Sequence, residues 1–249
     1  MTLVLVTGAA GRVARQLLPG LDRYHLRLLD RRTPDDVPDS AEVVLGELTD
    51  REVLARAVAG ADAVVHLAGE PNPDAEWDDL QAPNVEGFVA LLGAARAHGV
   101  RRVVYASSVH AMGRYESDGR TPIDPTWAPA PCCAYGASKA FDEAIAGVYA
   151  HRGGLSTVGL RLGATEDHPT MARQLPGWLG PDDLRQLVVR AIEADVAGGV
   201  YAGVSANTGG RWLLETARAE LGYEPVLDSA GWAETVEDDG VGVTTCGQH

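Results

Sequence analysis

Lysine is nearly absent from this 249-residue chain: Lys139 is the only one, and every other cationic side chain among its 21 Lys and Arg residues is arginine. Cysteine is scarce too, confined to Cys132, Cys133 and Cys246. Three residues so placed form neither a disulfide framework nor a zinc spacing, so no metal site is expected and a reducing compartment is. Positive charge is in deficit, since 35 Asp and Glu against 21 Lys and Arg give a formal net charge of −14. A field of that sign repels a phosphate backbone or an anionic bilayer and excludes nucleic acid and membrane as partners. No apolar run approaches the roughly 20 residues of a membrane-spanning helix, and no charged segment leads into an apolar one at the start. A cytoplasmic, soluble protein is therefore expected. Any anionic ligand would need a local positive pocket to overcome the overall charge.

What is present is ordinary in bulk and specific in detail. With 45% hydrophobic and 22% charged residues, the chain has enough apolar material for one well-cored domain. Leu3-Val4-Leu5-Val6 is a short continuous apolar run, the mark of a strand buried on both faces of a parallel sheet. It leads directly into Thr7-Gly8-Ala9-Ala10-Gly11-Arg12-Val13-Ala14 and then an apolar-periodic helix. Gly8 permits the tight turn, Gly11 lets backbone approach a pyrophosphate, and Ala14 keeps helix and strand close. Arg12 and Val13 open the helix whose N-terminus faces the phosphates. A second strand, Leu26 to Leu29, ends at Asp30, about 20 residues after the turn, where a carboxylate takes both hydroxyls of an adenosine ribose. That carboxylate repels a 2′-phosphate and favours NAD over NADP, although Arg31 and Arg32 follow at once and keep NADP open.

Further strands are predicted at Val43–Leu45, Ala63–Leu67, Arg102–Ala106, Ser156–Leu162 and near Val200. Helices are predicted from a Thr49–Glu52 capping box, over Asn84–His98, from Tyr135 to about His151, over Asp182–Ala194 and over Arg211–Leu221. Glu47 and Leu48 follow the third strand at the level of the adenine. Leu67-Ala68-Gly69 ends the fourth as a close-approach site for cofactor, and His66 within that strand reads as a packed core histidine. The fifth strand delivers Ser107-Ser108-Val109-His110 at its carboxyl end, the edge where ligands bind in open α/β sheets. The fold class is α/β, a Rossmann-like doubly wound parallel sheet with a small C-terminal substrate lobe. One domain is expected over 1–235, with the cofactor part at about 1–160 and the lobe over 163–235. The acidic, then glycine-rich remainder, 236–249, reads as a poorly ordered tail.

The lone lysine gives the chain its chemistry. Tyr135-Gly136-Ala137-Ser138-Lys139 puts a phenol and an ammonium four residues apart, on one face of a helix. Where arginine has displaced lysine everywhere else, this site needs a compact ammonium that a planar guanidinium does not replace. A cation about 4 Å from a phenol, at an effective dielectric near 20, supplies about 4 kcal/mol. That is enough to bring a phenol into general-base range near neutral pH.

Glycine turn, acidic strand end, serine after the fifth strand and Tyr-x-x-x-Lys occur here in one order. Together they resemble the extended short-chain dehydrogenase/reductase superfamily, in the NAD-dependent epimerase/dehydratase family, over nearly the whole chain. Within it, Ala106-Ser107-Ser108-Val109-His110, Tyr135 to Phe141, Arg161-Leu162-Gly163, Trp178 ahead of Asp182-Asp183, and Ser205-Ala206-Asn207 are similar to uronate dehydrogenases. The resemblance implies that Ser108 hydrogen-bonds the reacting oxygen, Tyr135 is the base, and Lys139 also holds the nicotinamide ribose. It further implies that His110 and Arg173 contact a sugar acid, the guanidinium fork on its carboxylate, and that Leu162 lies beside the cofactor. The implied cofactor is NAD, the implied substrate a small sugar acid or related polyol, and the implied assembly a homo-oligomer. Two positions depart from the pattern: Val109 stands where relatives have asparagine, and Glu70-Pro71-Asn72 replaces a serine-bearing loop. Both remove polar donors from a polyol pocket, which bears on specificity. The alternatives within the same motifs are a sugar epimerase or dehydratase, in which cofactor is reduced and reoxidised in one turnover, and a non-catalytic dinucleotide-binding module.

Overall fold

The computed structural model describes residues 2–35 and 37–238. Seven parallel strands form the main sheet: β1 Leu3–Thr7, β2 His25–Asp30, β3 Glu42–Leu45, β4 Ala63–His66, β5 Arg102–Ser108, β6 Ser156–Leu162 and β9 Gly198–Gly203. Their order is β3-β2-β1-β4-β5-β6-β9, so the winding reverses between β1 and β4. A ligand crevice opens at such a reversal, beyond the carboxyl ends of the strands. β7 Ala164–Thr165 and β8 Trp178–Leu179 pair separately above that edge. The expected doubly wound sheet is present.

Sequence accounts for the layering. β1 and β4 are central and buried, and apolar except for Thr7 and His66 at their carboxyl ends, whereas the edge strand β3 leaves Val43 and Leu45 exposed. One core cluster fills the face under α1 (Arg12–Leu17) and α7 (Pro181–Glu193). The other lies under α2 (Arg51–Val58), α4 (Gly87–Ala97) and α6 (Ala134–Gly153). α7 shows the periodicity expected of it, with Leu184, Leu187, Val188 and Ala191 buried along one face.

Several boundaries differ from the sequence expectations. The cap of α2 is Asp50 rather than Thr49; its carboxylate accepts hydrogen bonds from Glu52 N and Val53 N at 2.9 and 3.2 Å. The helix expected to begin at Asn84 instead begins with α3 at Trp77–Leu80 and passes through a π-helical stretch, Gln81–Glu86, before α4. Pro83 lies within that stretch and has no N–H to donate, a recognised cause of such distortion. After β9, Trp212 bridges Ile123, and π-helical Ala217–Leu221 occupies only the end of the helix expected from Arg211. A short helix, α5 Gly113–Ser117, was not expected. Within the segment read as a tail, Glu237 bridges Met171; residues 239–249, Cys246 among them, lie outside the described residues. Among the described residues, no helix is long and apolar enough to cross a membrane.

Candidate active site

The glycine turn is fixed by two independent constraints. Gly8 has φ +70°, and a Cβ there would come within 2.5 Å of Ala68 N, so only glycine fits between β1 and the end of β4. Its amide donates to Leu29 O at 2.9 Å, and Gly11 N donates back to Gly8 O at 2.9 Å. Asp30 ends β2 and turns its carboxylate over this loop, accepting from Ala10 N at 2.9 Å and Arg32 N at 3.0 Å.

Beyond the strand ends lies a cavity of about 810 Å³. Arg12, Val13, Leu67, Ala68, Gly69, Ser108, His110, Tyr135, Lys139, Leu162 and Arg173 all line it. The fold thus brings together residues from the ends of β1, β4, β5 and β6 and the segments that follow them. Gly8, Gly11, Asp30 and Glu47 lie outside its lining, on the β1–β3 side. Leu48 also lies outside; its side chain packs on Gly87 and belongs to the second core cluster, so it acts here as a packing group.

The catalytic candidates come from β5 and α6. Ser108 ends β5, and its Oγ accepts from His110 N at 3.2 Å. α6 is capped by Cys133, whose sulfur accepts from Gly136 N at 3.3 Å, which places Tyr135 in the first turn. Gly136 is needed because any Cβ there would collide with the His110 carbonyl. The same close approach sets the His110 and Tyr135 rings edge to face, 5.7 Å between centroids. One turn on, Lys139 Nζ lies 5.9 Å from the Tyr135 ring centroid. Burial, opposed by Asp74 and assisted by Arg173, pushes the His110 imidazole down to about 4. It is therefore neutral near physiological pH and offers one donor and one acceptor.

A family profile, the NAD dependent epimerase/dehydratase family, matches residues 4–176. The chain belongs to that family. NAD-dependent glucose-6-phosphate dehydrogenase of Haloferax volcanii is 38% identical to it, the match covering 91% of this chain and 94% of that protein. Uronate dehydrogenase of Pseudomonas putida is 34% identical, covering 94% of this chain and 87% of its own length. Among solved structures, a mutant of uronate dehydrogenase from Agrobacterium tumefaciens complexed with NAD superposes with a TM-score of 0.86 at 32% identity, covering 95% of this chain and 91% of the other.

The site of this NAD dependent epimerase/dehydratase family member fits its cofactor. Gly8 supplies the bare backbone and Asp30 the carboxylate at the end of β2, held in place by the backbone N–H groups of Ala10 and Arg32. NAD is expected to bind at least about tenfold more tightly than NADP, whose 2′-phosphate would meet Asp30. Asp30→Ala is expected to narrow the gap. Titration calorimetry with both cofactors checks this, and equal affinities in the parent would contradict the assignment.

Three features around this site went unread in the sequence. Asn84, buried in the π-helical stretch, accepts from Glu70 N at 2.7 Å and donates to Ser138 Oγ at 3.1 Å, tying the loop after β4 to α6. Glu143 accepts from Ser107 Oγ at 2.6 Å and from Arg161 Nε and Nη2 at 2.8 and 2.7 Å, a buried pair that braces β5 and β6 against α6. Asp142 lies 3.3 Å from Lys139 Nζ; its three-residue spacing from Lys139 allows a pair, but the burial that makes it one is not written in that spacing.

The departures from the uronate dehydrogenase pattern also find places. Val109 is buried in the first core cluster while bordering the cavity. The Glu70 carboxylate accepts from Asn72 N and the Asn72 side chain from Asp74 N, each at 3.0 Å, so this loop spends its polar groups on its own shape. His66 is a core histidine as expected. Its Nδ1 lies 2.7 Å from Thr7 Oγ1, its ring stacks on Phe88, and burial followed by the Lys139 charge lowers it to about 3. Cys132 and Cys133 sulfurs lie 3.7 and 3.6 Å from His110 Nδ1. Cys133 is a free thiol that burial keeps protonated.

Proposed function

We propose that the protein oxidises the anomeric hydroxyl of a free sugar acid to the lactone. The observation that carries this reading is that Arg173, on the 3-10 turn Ala172–Gly177, lines the same cavity as Ser108, His110, Tyr135 and Lys139. A guanidinium fork in an otherwise acidic protein is suited to one planar carboxylate, and it would orient the far end of a sugar while C1 meets Tyr135. Bound NAD would supply the hydride acceptor. Tyr135 takes the proton of the anomeric hydroxyl, Ser108 hydrogen-bonds the reacting oxygen, and the neutral His110 imidazole pairs with a ring hydroxyl. Lys139 stabilises negative charge on the phenol oxygen and holds the nicotinamide ribose.

The relatives differ in the sugar they are named for, one a uronate and one a glucose 6-phosphate. The lining favours the first. Glu70, Asp74, Glu76 and Glu166 also border the cavity, and four carboxylates repel a phosphate dianion more strongly than a carboxylate monoanion. A scan following NADH absorbance with free uronates, neutral aldoses, aldose phosphates and nucleotide sugars tests this. Uronates are expected to give the highest kcat/KM; a preference for an aldose phosphate or a nucleotide sugar would overturn the reading.

A further inference from the structure

We infer that Asp142 is a positioning residue for the reaction: its carboxylate anchors the Lys139 ammonium beside Tyr135 and sets how readily that pair gives up a proton. The inference rests on the reading of Tyr135 and Lys139 as the proton-transfer pair. Lys139 Nζ and Asp142 Oδ2 are 3.3 Å apart, three residues along α6, with side chains 6% and 1% exposed. The second oxygen, Oδ1, is buried with no hydrogen-bond partner among the described residues. A half-paired carboxylate in an apolar helix–sheet interface is a poor way to gain stability, and an apolar residue of similar size would serve better. Its neighbour Glu143 shows the contrast, since both of that carboxylate's oxygens are engaged, by Ser107 and Arg161. What Asp142 retains in return for its burial is a fixed negative charge on the one lysine of the chain.

The surroundings leave Asp142 as the group that tunes this lysine. On α6, the charges near it are Glu143 and the Tyr135 phenol when ionised. From β4, His66 faces Lys139 but is neutral. From β5, Tyr105 faces Asp142 and Glu143, and burial keeps its phenol protonated. From β6, Arg161 is paired with Glu143. His110, on the turn Val109–Met112 packed against α6, is neutral as well. Asp78 and Asp79 on α3, Glu86 before α4 and Arg96 on α4 are exposed to solvent. Burial works against the ammonium of Lys139, but Asp142, Tyr135 and Glu143 outweigh it and hold the lysine above its ordinary value. Burial also raises the Asp142 carboxyl to about 6, against the opposing pull of Lys139. The carboxylate is thus anionic near neutrality and neutral in mild acid. Whichever member of the Tyr135–Lys139 pair loses the proton, removing an adjacent anion makes that loss easier, so the pair's apparent pKa must fall.

The single lysine makes the test direct, because lysine labelled with carbon-13 at Cε yields one NMR resonance from the whole protein. In the parent, that resonance is expected to show a secondary inflection near pH 6, where Asp142 titrates, besides its own alkaline titration. In Asp142→Asn the inflection disappears and the alkaline titration falls by about one unit. The pH–rate profile for kcat is expected to move toward acid in the same variant while KM for substrate stays near the parent value, and Asp142→Glu restores part of the shift. A folded Asp142→Asn whose lysine titration and pH–rate profile match the parent would overturn the inference. If that variant does not fold, the parent titration decides, and absence of the inflection overturns it. A Tyr135→Phe enzyme that still turned over would instead remove the underlying reading of the pair, leaving the lysine titration to report on Asp142 alone.

Discussion

Tyr135→Phe is expected to reduce kcat to background, a fall of about four orders of magnitude, while NAD binding persists. The substitution removes one oxygen and leaves the ring. The edge-to-face contact with His110 and the packing of the first turn of α6 therefore survive, and stability is expected to be close to that of the parent. What is lost is the group proposed to take the substrate proton. General-base catalysis is worth about 10²–10⁴-fold, and the upper end applies here because the other titratable group on this wall is poorly suited to replace it. His110 is lowered to about 4 and is a weak base. Steady-state kinetics beside a cofactor titration checks the expectation. Turnover within about tenfold of the parent would mean that another group takes the proton.

Lys139→Arg is expected to lower kcat at least about 100-fold, equivalent to about 2.7 kcal/mol of transition-state stabilisation. Charge is conserved, so a purely electrostatic requirement for a cation predicts little loss. The structure predicts a large one. Lys139 is buried, its ammonium sits 3.3 Å from Asp142, and a side chain added at Gly69 would come within 3.8 Å of it. A guanidinium is longer and planar, and in so closed a site it must displace either the carboxylate or the backbone after β4. Circular dichroism and NAD affinity establish that the variant is folded. Near-parent turnover from a folded Lys139→Arg would show that the chain's single lysine is not chemically required.

The parts of the molecule legible from sequence are those whose determinants are local. Leu3–Val6 followed by Gly8 and Gly11 specifies a buried strand, a tight turn and a helix between Leu3 and Leu17, and the structure has them in that order. Ser156–Leu162 is bounded by Gly154 and Gly163 and appears with the expected limits. Tyr135 and Lys139 are joined by one helical turn, so their proximity needs no tertiary information. The π-helical stretch was not legible. One extra residue per turn, accommodated at Pro83, shifts the apolar period, and only the tertiary role of Asn84 as the tie between the Glu70 loop and Ser138 explains the cost. The segment around Arg173 has no periodicity because it is held by contacts distant in sequence, such as Ala172 N to Glu237 O at 2.8 Å. Asp142 was open to inspection, three residues from Lys139, but a carboxylate on a helix is ordinarily solvated and only its burial marks it out.

A uronate deuterated at C1 gives the most direct test of the proposed net oxidation at the anomeric carbon of a sugar acid. After incubation with the parent enzyme and NAD, mass spectrometry of both products gives the fate of the label. A lactone without deuterium is expected, with reduced nicotinamide carrying one deuterium for each sugar consumed. A sugar product that keeps its C1 deuterium, with no net reduced nicotinamide, would contradict it.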